Sequence, residues 1–76
     1  MSKIKKGIYE HYKGGRYKVI GIGVNRETFK EFVVYEMLYD GPDYPKGTIW
    51  LRTPEDFLGS VEVDGKKVGR FKYKGH

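Results

Sequence analysis

Cysteine is absent from the 76 residues, which excludes a disulfide scaffold and every thiolate zinc site and agrees with a reducing, cytoplasmic setting. Serine occurs only at Ser2 and Ser60, and neither stands in the strained elbow that presents a nucleophilic hydroxyl. Histidine occurs only at His11 and His76, too few to make a metal site. No apolar run reaches the roughly 18 residues of a membrane span, and Met1-Ser2-Lys3-Ile4-Lys5-Lys6 lacks the apolar stretch of a signal peptide. The glycines make no phosphate loop either: Lys13-Gly14-Gly15-Arg16 reads as a hairpin turn and opens no helix. These absences point away from covalent catalysis, from a bound metal or cofactor and from a membrane. The length is about half of the roughly 150 residues typical of a domain, so 1–76 is read as one domain, with a flexible basic N-terminus over 1–6 and a flexible tail over 74–76.

What is present is aromatic and basic. Aromatic residues make up 16% of the chain, too many for a disordered tail. The net charge of +5 is unevenly distributed. Lys3, Lys5, Lys6, Lys13, Arg16 and Lys18 face only Glu10 at the start, Lys66, Lys67, Arg70, Lys72 and Lys74 face no acid at the end, and the segment between is acidic. A fold that brings the two ends together gives one positive face, suited to nucleic acid, anionic lipid or an acidic protein surface.

The patterning is that of strands. Ile8 to Tyr12 alternates, turns at Lys13-Gly14-Gly15, and continues from Arg16 to Val24. Within that second strand the apolar phase slips between Val19 and Ile20, which a period of two allows only at a bulge or sharp bend, and Gly21 and Gly23 lie there. Phe32 to Tyr39 is apolar on both faces except at Glu36 and reads as the central strand, followed by an exposed loop over 40–47. Thr48 to Arg52 alternates, with Trp50 and Arg52 on one face. Thr53 to Gly59 is a single helical turn with a cap at Thr53, proline at its first position and acids near the positive end, set to bring Phe57 and Leu58 onto the core. Val61 to Val68 is a hairpin around Asp64-Gly65, and Gly69 to Tyr73 is a last strand. Strong curvature in a small all-β chain predicts an SH3-like barrel of about five strands with one short helical turn.

Gly7-Ile8-Tyr9-Glu10-His11-Tyr12-Lys13-Gly14, the later Trp50-Leu51-Arg52 and the pair Arg70-Phe71 together resemble a family of small bacterial proteins of unknown function, DUF1653. The likeness runs roughly from Gly7 to Tyr73 and implies a compact bacterial β-domain without implying an activity. The chain departs from the family pattern at Val24-Asn25-Arg26, where a histidine and a serine are more usual, in the longer loop over 40–46, and at Gly69, which replaces a proline. The first departure removes a second histidine from the neighbourhood of Glu27.

The residues that carry interaction chemistry are His11, Tyr12, Lys13, Trp50, Arg52, Arg70 and Lys72. Aromatic rings beside guanidinium groups are the means by which small β-domains hold single-stranded nucleic acid, with bases on the rings and phosphates on the arginines. The leading expectation is a non-enzymatic binding module with a basic aromatic face. Two alternatives stand beside it. One is an SH3-like module whose tyrosines (Tyr9, Tyr12, Tyr35, Tyr39) and Trp50 line a groove for a proline-rich or acidic protein segment. The other is a small-anion enzyme that uses His11 with Arg52 and Arg70. For Trp50 there is also a purely architectural reading, half burial at the rim under a covering Arg52.

Overall fold

The computed structural model describes residues 4–75. Seven strands and one helical turn follow in the order β1 (Gly7–His11), β2 (Arg16–Val24), β3 (Glu31–Met37), β4 (Ile49–Arg52), α1 (Pro54–Phe57), β5 (Ser60–Val63), β6 (Lys66–Gly69) and β7 (Phe71–Gly75). They form a five-stranded antiparallel sheet, β4-β3-β2-β1-β7, and a separate β5-β6 hairpin. The predicted SH3-like barrel is therefore not formed. Among the described residues β4 and β7 remain the two edges of an open sheet, and the strand count is seven rather than five. β2, not the Phe32-to-Tyr39 segment, occupies the centre. β7 extends through Lys74 and Gly75, two residues expected in a flexible tail, and Ile8 pairs with Gly75. Met1 to Lys3 and His76, which belong to the termini expected to be flexible, lie outside the described residues.

The phase slip in β2 is a bulge. Val19 pairs with Tyr35 and Gly21 with Val34, leaving Ile20 as the extra residue. The consequence is that Ile22, opposite Val33, returns to the face already occupied by Tyr17 and Val19. That face carries the core. Tyr9, Val19, Val33 and Tyr35 are buried on it, and Phe57 of α1 packs against them at 1% exposure. Phe57 stacks on Phe71 at 4.3 Å and meets Tyr9 and Tyr35 edge-on at 5.1 and 5.5 Å. The aromatic cluster packs on this face of the sheet, beneath α1. Leu58, expected to join Phe57 there, points outward at 60% exposure.

Local chemistry explains the joins. The Thr53 hydroxyl accepts from the Asp56 N–H at 3.2 Å, the cap that starts α1 after β4. Asp64 and Gly65 both adopt positive φ (51° and 78°), which is the type I′ geometry a two-residue hairpin favours. Asn25 Oδ1 accepts from the N–H groups of Glu27 and Thr28, so the residue that departs from the family pattern closes the β2–β3 loop as an Asx turn. Arg70 links the hairpin to the sheet: its N–H donates to the Gly59 carbonyl and its carbonyl accepts from the Tyr12 N–H.

Candidate functional site

Register decides which of the candidate residues meet. Tyr35 pairs with Trp50, Val33 with Arg52, and His11 with Phe71, and partners in a pair share a face. His11, Trp50 and Arg52 therefore lie on the core face beside the helical turn. There they line a small pocket of about 150 Å³ together with Tyr17, Tyr35 and Phe71. The other four candidates are placed elsewhere. Tyr12 and Lys13 follow β1 in the turn, with the Lys13 ammonium 5.8 Å from the Tyr12 ring centroid. Lys72 pairs with Glu10, which points to the opposite side of the sheet from Tyr9 and His11. A wider depression of about 480 Å³ lies on the far side of His11 and Phe71 and includes Tyr12, Lys72, Glu10 and Val68.

Arg70 supports the pocket from behind through Asp56. Its Nε donates to the Asp56 carbonyl at 3.1 Å and its Nη2 lies 3.7 Å from the Asp56 carboxylate. Arg52 reaches the same carboxylate from Nη1 at 2.8 Å, and its Nε donates to the Tyr35 hydroxyl at 2.8 Å. The Arg52 guanidinium lies over the Phe71 ring, 5.7 Å from its centroid, and not over Trp50 as the architectural reading had it. Burial opposes its charge, but the neighbouring Tyr35 and Asp56 oxygens outweigh burial and hold its pKa above the ordinary value.

Trp50 is half buried, with the edge-on Tyr44 ring 4.8 Å away. Its indole N–H is cut off from solvent and has no acceptor among the described residues. An orphan donor of this kind costs about 1–3 kcal/mol. His11 Nδ1 accepts from the Lys13 N–H at 3.2 Å, which places the ring proton of the neutral imidazole on Nε2. Burial, then the positive charges of Arg52, Lys13 and Arg70, push the His11 pKa below its usual value, so the ring is neutral at pH 7.

Burial likewise raises the pKa of Tyr17, whose hydroxyl is bonded to that of Tyr39 at 2.9 Å, and of Tyr35. Both stay protonated at neutral pH. The pocket is thus lined by N–H and O–H groups on aromatic walls around one guanidinium. It offers hydrogen-bond donors and positive charge, and among the described residues its lining holds no carboxylate. Among the described residues no group of three or more His, Cys, Asp and Glu side chains is placed to hold a metal ion. No helix among them is long and apolar enough to cross a membrane.

Of the residues singled out from the sequence, His11, Trp50 and Arg52 come together in this pocket, and the residues that orient them were not among them. Tyr35 reads only as one of the groove-lining tyrosines of the SH3-like alternative, and Tyr17 only as a strand residue. Asp56 reads as a helix-dipole acid, and that reading does not pair it with Arg52, four residues before it at the end of β4. The groove of the SH3-like alternative is not assembled, since Tyr9 and Tyr35 are core residues at 7% and 4% exposure.

Comparison with known proteins fits this arrangement to a family. The sequence profile described as Protein of unknown function (DUF1653) matches residues 7–73. The chain belongs to the DUF1653 family. A crystal structure of a DUF1653 protein from Bordetella bronchiseptica is 31% identical in sequence, superposes with a TM-score of 0.84, and shares 97% of this chain and 91% of its own. No curated protein matches the chain. The DUF1653 match takes in the whole pocket, from His11 to Phe71.

Proposed function

We propose that this DUF1653 domain is a binding module, not a catalyst, and that its pocket receives an anionic, acceptor-bearing group. One observation carries the reading: the Arg52 guanidinium and the neutral His11 line one pocket, with Tyr17, Tyr35, Trp50 and Phe71 as its aromatic walls. A ligand anion that met the guanidinium there would make a charge-assisted hydrogen bond, stronger than a neutral one. The test is an amide- and indole-resolved NMR titration with acetate, benzoate and dimethyl phosphate. The expected result is saturable movement of the Trp50 indole N–H with at least one of them, lost in Arg52→Ala. An indole resonance that none of the three moves overturns the proposal.

Single-stranded nucleic acid is a second reading with its own support, on the opposite face of the sheet. β2, β1 and β7 are neighbours, so the two basic ends of the sequence come together. The pairings Ile8 with Lys18, Glu10 with Arg16 and Glu10 with Lys72 set Arg16, Lys18 and Lys72 on one face around Glu10, and Lys74 bridges to Glu10 at 3.4 Å. Such a stripe meets phosphates in a salt-dependent, sequence-tolerant way. Short RNA should then shift the Lys18 and Lys72 amides while leaving the Trp50 indole in place. Movement absent at low salt removes this reading.

A further inference from the structure

We infer that β4 is an association edge and that a second copy of this chain occupies it, paired antiparallel about a two-fold axis so that two five-stranded sheets become one. The two edges of the sheet, β4 and β7, differ in chemistry. β7 is defended. Lys72 and Lys74 are exposed along it, and self-pairing centred on Tyr73 would set Lys72 against Lys74 of the other copy, like charges that repel across strands. β4 has no such defence beyond its length of four residues. Its Ile49 and Leu51 are 50% and 60% exposed, on the face of the sheet opposite Trp50 and Arg52, where Leu51 pairs with Val34.

The backbone of β4 is open at the same two residues. The Met37 N–H donates to the Thr48 carbonyl at 2.9 Å, and hydrogen bonds alternate along an antiparallel pair. Trp50 and Arg52 therefore bond to Tyr35 and Val33, while the N–H and C=O groups of Ile49 and Leu51 point away from β3. Among the described residues no turn or loop bond engages them. One register satisfies all of these groups in both copies. It places Ile49 against Leu51 of the other copy and sets Trp50 against Trp50 at the two-fold axis, in the non-hydrogen-bonded position where side chains lie closer and aromatic pairs stabilise. Thr48 then meets Arg52, each exposed Ile49 covers a Leu51, and no like charges are opposed. The nearest flanking charges also match: continuing the register brings the exposed Lys46 of one copy beside the exposed Glu55 of the other, at both ends of the pair. Asp43 lies three residues further out, Asp56 is held by Arg52 and Arg70, and Lys30 and Glu31 beside Glu55 offset each other. Such self-complementarity is what an isologous interface requires, and it assigns the edge to a second copy over an unrelated strand.

Pairing of so short a strand buries less than the roughly 1,600 Å² of a standard interface, so the dimer is weak, with a Kd of about 10 µM to 1 mM. Sedimentation equilibrium of the intact chain across that range should show a monomer–dimer equilibrium, and the emission of Trp50, the chain's one tryptophan, should shift with it. Exchange of the Ile49 and Leu51 amides should slow as concentration rises. In a sample of mixed labelled and unlabelled chains, an isotope-filtered NOE should join the Trp50 Hα protons of the two copies. Leu51→Lys should raise the Kd about tenfold or more, through a lost apolar contact and an edge charge. Leu58→Lys, exposed to the same 60% but on no edge strand, should leave the Kd unchanged. A chain that stays monomeric up to about 1 mM overturns the inference and leaves β4 an edge open to an unrelated strand. A dimer that both variants weaken alike, or that leaves the Ile49 and Leu51 amides unprotected, is built on another surface and overturns it as well. If Leu51→Lys fails to fold, the exchange and NOE measurements on the unmodified chain decide. No anion is present in these measurements, so their outcome is separate from that of the pocket titrations.

Discussion

At Gly7 one missing side chain joins the two ends of the chain. Its φ is +137°, in the region that favours glycine, and a Cβ there would fall 2.6 Å from the Gly75 carbonyl oxygen. Gly7→Ala should therefore destabilise the domain by about 1–3 kcal/mol, as strained positions do, and act first on the β1–β7 ladder. Urea unfolding gives the loss, and amide exchange at Tyr73 and Gly75 shows whether that ladder opens before the β2–β3 pairing. Equal protection of both ladders in a fully stable variant would refute it. Nothing local announces this role: Gly7 opens the Gly7-to-Gly14 pattern, but its contact with Gly75 exists only once β7 lies against β1. The pocket was legible to the same partial extent. His11, Trp50 and Arg52 stood out by residue type, whereas the convergence of Asp56, Arg70 and Arg52 depends on where the turn after β6 falls in space.

The element that gathers the site is α1. It is four residues long, too short to be stable alone, so its cap and the burial of Phe57 must hold it. Thr53→Ala removes the acceptor for the Asp56 N–H and should cost about 1 kcal/mol. It should also loosen the Asp56 carboxylate from Arg52, so thermal unfolding and the Arg52 Nε resonance ought to change together. A lower midpoint with an unmoved Arg52 signal would separate the cap from the pocket. Elements of this kind were readable because their signals are local: the Thr53-Pro54 start, the Asp64-Gly65 turn and the phase slip at Ile20 all appear in the structure. The barrel was not readable, because closure depends on which strands lie at the edges. Curvature from the bulge suggested closure, yet among the described residues β4 and β7 stay at the edges of the large sheet and β5 pairs with β6 in a sheet of its own. Two-residue alternation reports which way a side chain points. It does not report whether the last strand returns to the first.

For the whole molecule, the buried titratable groups set the pH range of stability. His11 has a folded pKa below the 6.5 of the unfolded chain, caused by burial and by Arg52, Lys13 and Arg70, with Asp56 already bound to the two arginines. In the interval between the folded and unfolded values the unfolded state binds more protons, so stability is complete above about pH 6.5 and falls as pH drops through the folded value. The tyrosines act in the opposite direction. Burial raises the folded pKa of Tyr9, Tyr17 and Tyr35 above the ordinary 10.0, so between those values the folded state holds more protons and stability declines as pH rises past 10.0. The expected profile is a plateau from about pH 6.5 to 10.0 with a fall on each side. Chemical denaturation across that range measures it. His11→Gln keeps a hydrogen-bonding side chain without a titrating ring, and should flatten the acid side just below pH 6.5 while leaving the alkaline fall unchanged. A variant whose acid limb is as steep as that of the wild type in this interval would show that His11, held neutral by burial and by its positive neighbours, is not the group that sets the acid limit.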